Sequence, residues 1–112
     1  MRLRALARQA EDEAYAQLRA ELLPGPCGVC PRLADHGLVL PCSGTGHELH
    51  HRRKRSSAGA LAERRNVVVS CHAGNMAVED HPGIARDAGL VLREGDPDWA
   101  AMSARRWRKN HA

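Results

Sequence analysis

The five residues Glu48-Leu49-His50-His51-Arg52 constrain this chain more than any other stretch. Two adjacent histidines follow an acidic residue and lead into the basic run Arg52-Arg53-Lys54-Arg55. Adjacent residues on a regular strand point to opposite faces. On a strand at about residues 47 to 53, His50 and His51 therefore cannot do the same job. One can face a metal ion while the next faces a water. Downstream, Asn66 heads the β-branched run Val67-Val68-Val69-Ser70-Cys71, which predicts a second strand over residues 66 to 70. Residues 74 to 81 carry helical spacing. The order is strand, loop, strand, helix. The loop, residues 54 to 65, holds the flexible Ser56-Ser57-Ala58-Gly59 and the charged Glu63-Arg64-Arg65.

A chain of 112 residues makes one domain with a small core, and chains near this size often lean on a metal or another staple. Phe is absent, so the core falls to Leu, Val and Ala, with Trp99 and Trp107. The net charge is +4 with histidines neutral, and most of the excess is Arg. Arg suits bidentate phosphate contacts, which points to a polyanionic partner. From composition alone, a solvated surface with surplus Arg reads equally well. No apolar run approaches a membrane span. The basic N-terminus lacks an apolar h-region, so no secretion signal is visible and a cytoplasmic setting is expected.

Residues 2 to 23 read as a helix, with Leu3, Leu6, Ala10, Ala14, Leu18 and Leu22 spaced by threes and fours. Pro24-Gly25-Pro26 ends it. Arg2, Arg4 and Arg8 could form a basic arm on DNA, but a scaffold helix covering the hairpin is the favoured role. Pro26-Cys27-Gly28-Val29-Cys30-Pro31 is a tight knuckle. Two thiolates at this spacing can point at one ion, with Gly28 letting the backbone bend. Leu38-Val39-Leu40 suggests a short strand, and Ser43-Gly44-Thr45-Gly46 a turn. Residues 84 to 92 suggest a helical turn closed by Gly89 and a short strand, and Gly95-Asp96-Pro97-Asp98 another turn. The end, residues 104 to 112, is strongly basic around Trp107.

Hydrolysing a phosphodiester needs a nucleophilic water, charge neutralisation at the phosphate and relief of the leaving oxygen. A neutral imidazole can supply the first, and a divalent ion the other two. The order of Glu48-Leu49-His50-His51-Arg52, Asn66, Cys71 and Val78-Glu79-Asp80-His81-Pro82 resembles that of the His-Asn-His (HNH) endonucleases, in particular small bacteriophage members. The likeness covers about residues 27 to 82. It implies an α+β fold with a ββα-metal (His-Me finger) core at 27–82, an N-terminal helix at 1–23 and a C-terminal extension at 83–112. It also implies a divalent-metal-dependent DNA endonuclease. By position, His50 is then a metal ligand, His51 the general base, and Asn66 the residue that holds the loop between the strands.

The third part departs from the commonest pattern, Asn-x4-Cys-x2-Cys-His. Counting from Asn66, Cys71 takes the first cysteine position, Gly74 the second, and Asn75 the closing histidine. This resembles a His-Asn-Asn variant, with Asn75 as ligand through its amide oxygen and Glu79, one turn on, as a second ligand or as the holder of a metal-bound water. A competing alignment uses His72 or His81. An amide oxygen, a carboxylate and one imidazole suit Mg²⁺ or Mn²⁺. Cys27, Cys30 and Cys71 match three of the family's four structural-zinc cysteines, and Cys42 or His72 is left to complete a Zn²⁺ site. Arg52, Arg53, Lys54, Arg55, Arg64 and Arg65 border the proposed site and would contact DNA phosphates. In phages such proteins often act with the terminase at packaging ends, which makes terminase an expected partner. The rival reading is a noncatalytic, zinc-stabilised module that binds DNA or docks on terminase.

Overall fold

A computed structural model describes residues 2–54, 61–93 and 95–96. Arg55, the Ser56-Ser57-Ala58-Gly59 stretch, Pro97, Asp98, Trp99 and the basic tail with Trp107 lie outside the described residues. The fold is α+β, with helices around two small antiparallel sheets.

Helix α1 (Arg2–Leu22) stops just before Pro24-Gly25-Pro26, as expected. Its apolar stripe does not pack along its whole length. Leu18 is buried, while Leu3 and Leu6 are 82% and 56% exposed. A strand of four residues spans about 13 Å, whereas a helix of this length runs about 32 Å. The helix therefore outreaches the sheet it covers.

Strand β1 (Gly25–Pro26) pairs with β2 (Thr45–Gly46). Between them, α2 (Val29–Asp35) starts inside the cysteine knuckle. Pro31 reads as a breaker but sits in the first helical turn, where its missing N–H costs nothing. Residues 38 to 40 form no strand. Leu38 and Leu40 lean on the core while Val39 points out, an alternation that imitates a strand pattern.

The central hairpin follows. Strand β3 (Glu48–His51) pairs antiparallel with β4 (Val67–Ser70), matching Glu48 to Ser70, Leu49 to Val69, His50 to Val68 and His51 to Val67. Glu48, His50, Val68 and Ser70 thus share one face, and Leu49, His51, Val67 and Val69 the other. A 3₁₀ turn, Arg64–Asn66, leads into β4. Helix α3 (His72–Asp80) begins two residues before the expected start, because the Cys71 side chain caps it by accepting the Gly74 N–H. Helix α4 (Pro82–Asp87) closes at Gly89, whose φ of +74° suits glycine. The chain then returns beside β3, where Leu92 pairs with Arg53 in a parallel bridge.

The core is built from Leu, Val, Ala and three sulfurs. Val29, Leu33, Val68, Val78, Ala85 and Leu90 surround Cys27, Cys30 and Cys71.

Candidate functional site

His50 and His51 leave β3 on opposite faces, as strand geometry requires. The His50 Nε2 meets the Leu90 carbonyl. A carbonyl can only accept, so Nε2 carries the proton and Nδ1 keeps a lone pair. Burial pushes the His50 pKa below the usual histidine value, against the pull of the Leu90 carbonyl and of the nearby Glu79 charge. His51 is arranged the same way. Its Nε2 donates to the Leu61 carbonyl at 2.9 Å, leaving Nδ1 able to accept a proton. Its ring stacks on Tyr15 of α1, with centroids 5.3 Å apart and planes 18° apart, and the Arg19 guanidinium lies over the other partner of that stack, Tyr15.

Asn66 is buried and grips the main chain just after the histidine pair. Its Oδ1 accepts the Arg53 N–H at 2.8 Å, and its Nδ2 donates to the Arg53 carbonyl at 2.9 Å. The side chain clamps the exit of β3 to the entry of β4. On the other face, Asn75 Nδ2 donates to Glu48 Oε2 at 2.8 Å. His72, 81% exposed, approaches Glu48 Oε1 at 3.6 Å. His81 caps the end of α3 and is exposed.

The basic residues divide. Arg52 is 4% exposed, and its guanidinium donates to the carbonyls of Gly89 (2.7 Å) and Arg65 (3.1 Å). It fastens the hairpin to the returning chain and is not a surface phosphate contact, as the sequence had suggested. Arg53 donates to the carbonyls of Arg93 and, at 2.8 Å, Asp96. Arg64 pairs with Glu21 of α1, and Arg65 with Glu63 at 3.3 Å. Lys54 is exposed, and Arg55 lies outside the described residues.

The four cysteines come together. Sγ atoms of Cys27, Cys30, Cys42 and Cys71 all lie within 4.8 Å of one another, and none is in a disulfide. Four sulfurs bound to zinc at about 2.3 Å would stand about 3.8 Å apart. Cys30 and Cys71 are at 3.5 Å. The cluster can therefore hold a metal ion such as zinc. Backbone N–H groups already point at the sulfurs: Cys71 at Cys27, Gly74 at Cys71 and Gly44 at Cys42, each at 3.3 Å. Burial pushes the Cys27 thiol up, but N–H groups of Cys30, Cys71 and Val29 outweigh it and bring it down to about 7. Burial and the neighbouring thiols push Cys30 up. Cys42, one of the two ligands left open by the sequence, supplies the fourth sulfur. Gly74 could not do so without rearrangement, since a Cβ there would lie 3.0 Å from Cys30 Sγ and from Ser70 Oγ.

Among the described residues the cysteines are the one group of three or more His, Cys, Asp and Glu whose ligand atoms converge in this way. Of the expected Mg²⁺ or Mn²⁺ ligands, His50 is held by the Leu90 carbonyl and Asn75 by Glu48, while Glu79 is exposed. No family model, no curated protein and no solved structure matches the chain. No helix among the described residues is long and apolar enough to cross a membrane.

Two residues of this region had no role in the sequence reading. Tyr15 shares a helical stripe with Leu18 and Leu22, and is the only tyrosine in the chain, which marks it as a residue that docks. Glu48 lies two positions before His50, and strand periodicity puts both on one face.

Proposed function

We propose that the chain is a metal-dependent HNH endonuclease that hydrolyses DNA phosphodiester bonds. The observation that carries the reading is the Asn66 clamp. Its two hydrogen bonds to Arg53 fix the main chain immediately after His50 and His51. A buried asparagine spent in this way serves to position its neighbours rather than to react.

In this reading His51 is the general base. Its Nε2–H is held by the Leu61 carbonyl, so Nδ1 is the atom that takes a proton from water. The stack on Tyr15 keeps the ring from turning about its side-chain bonds. His50, Asn75 and Glu79 would hold Mg²⁺ or Mn²⁺. The donors fit a hard cation: burial favours the neutral His50 ring, with Nδ1 unprotonated, and Asn75 offers a neutral amide oxygen. When bound, the ion neutralises charge on the phosphate and on the leaving oxygen. The ββα-metal core of the HNH family agrees with the strand, strand, helix order of β3, β4 and α3. The four cysteines would form a separate structural zinc site, which accounts for a sulfur cluster remote in role from the histidines. DNA is the proposed partner, with the exposed Lys54, Arg64 and Arg65 as phosphate contacts, and phage terminase the proposed setting.

The cysteine cluster alone would equally suit a noncatalytic zinc module that binds DNA or docks on terminase. A plasmid-nicking assay separates the two. Wild-type protein should nick or cut with Mg²⁺ or Mn²⁺ and stop with EDTA, and His51→Ala should lose cleavage while keeping its DNA affinity. A zinc-loaded wild-type protein that binds DNA but leaves the plasmid intact with every divalent ion would replace the nuclease by the noncatalytic module.

A further inference from the structure

The geometry points to Glu48 as the positioning residue for Asn75: its carboxylate holds the Asn75 amide in the one orientation that turns Oδ1, rather than Nδ2, toward a bound divalent cation. This inference rests on the nuclease reading and deepens it.

A carboxylate oxygen can only accept, so the Asn75 atom 2.8 Å from Glu48 Oε2 must be the amide nitrogen. Oδ1 therefore points the other way, with no protein partner among the described residues. An amide free to turn would also present its N–H groups to a cation, and N–H groups repel it. Glu48 and His50 share a face of β3, and Asn75 and Glu79 lie four residues apart on α3, on one face of that helix. The acidic residue at the start of the strand thus reaches the helix beside the proposed ligands without being one of them. The other oxygen, Oε1, has His72 at 3.6 Å, out on the rim. Outer partners of this kind set ligand orientation, and losing one typically costs ten- to a hundredfold in metal affinity.

The test measures Mn²⁺ binding to the zinc-loaded full-length chain by electron paramagnetic resonance of the free ion, beside plasmid cleavage. Glu48→Ala should weaken Mn²⁺ binding about tenfold. Glu48→Gln should weaken binding less than Glu48→Ala, because its amide can still accept the Asn75 N–H but can also turn to donate to Oδ1 and so no longer selects one orientation. In an Asn75→Asp background both side-chain atoms are oxygens and orientation no longer matters, so adding Glu48→Ala should bring no further weakening. That pattern supports the assignment, since a coupling between two residues appears as non-additivity. Two outcomes overturn it: Glu48→Ala with wild-type Mn²⁺ affinity, or equal weakening in both backgrounds, which would mean plain charge attraction. If wild type cuts DNA and dies with His51→Ala while Glu48→Ala binds Mn²⁺ normally, only this inference falls. If wild type binds no Mn²⁺ and cuts nothing, the nuclease reading falls with it.

Discussion

Asn66 occupies a buried site between two strands and satisfies both polar groups of the Arg53 peptide flanks. Removing it leaves a main-chain N–H and carbonyl without their partner in a part-buried place. Such losses cost about 1–3 kcal/mol. Asn66→Ala should therefore melt at a lower temperature by several degrees and cleave more slowly, with zinc content unchanged. Asn66→Asp should not rescue it. Its carboxylate can still accept the Arg53 N–H, but it would face the Arg53 carbonyl with a second acceptor, and two acceptors repel. Thermal melts of the three proteins check this. An Asn66→Ala protein as stable as wild type would mean that the clamp contributes nothing. The asparagine at the head of β4 was visible in the sequence as a motif position. Its two partners were not, because they are main-chain groups and any residue type carries them.

At the scale of elements, the parts with a strong local signal were legible and those defined by distant contacts were not. Strands β3 and β4 lie within the expected ranges, because β-branched Val67 to Val69 and the two-residue alternation leave little choice. Helix α2 was hidden by Pro31, which looks like a breaker unless its place in the first turn is known. Arg52 reads as one of four surface cations, yet it is the buried staple of the hairpin, since only the return of Gly89 beside β3 gives its guanidinium carbonyls to bind. Convergence of Cys42 on the knuckle likewise depends on the pairing of β1 with β2, which no local pattern encodes. Helix α1 illustrates the same limit in energetic form. Its stripe is continuous in sequence, but only its C-terminal part meets the sheet, through Tyr15, Leu18 and the Glu21 to Arg64 pair. Leu18→Ala should cost about 2–3 kcal/mol, as a buried leucine does. Leu3→Ser and Leu6→Ser should change stability by no more than about 0.5 kcal/mol, as exposed positions do. Denaturant midpoints of the three variants test the contrast, and a large loss from Leu6→Ser would show that the outer half of α1 is covered after all.

For the whole molecule, the question is what holds together a chain with no Phe and with Leu33, Leu90, Val29 and Ser70 as the largest fully buried side chains among its described residues. The sulfur cluster ties together parts that lie far apart in the chain. Cys27 and Cys30 belong to the knuckle and α2, Cys42 to the segment before β2, and Cys71 to the start of α3, with the Cys71 N–H reaching Cys27 across 44 residues. In zinc-dependent small domains the binding free energy of the ion is folding free energy, on the order of 10–16 kcal/mol at neutral pH. The same ion would fix the first turn of α3, and through it Asn75 and Glu79. Purified protein should therefore carry about one zinc per chain, and a chelator strong enough to remove it should lower the melting temperature steeply and abolish cleavage even with Mn²⁺ added back. The two kinds of cysteine should differ. Cys42 is exposed, so Cys42→Ser should leave a folded protein that binds zinc more weakly. Cys71 is buried among the other sulfurs, so Cys71→Ser should lose the ion and fail to fold stably, even though a serine Oγ can still accept the Gly74 N–H and cap α3. Elemental analysis with melting curves in parallel decides this. A metal-free chain that melts like the loaded one would leave the four sulfurs as plain core atoms, and the stability of the domain would have to come from its Leu, Val and Ala packing alone.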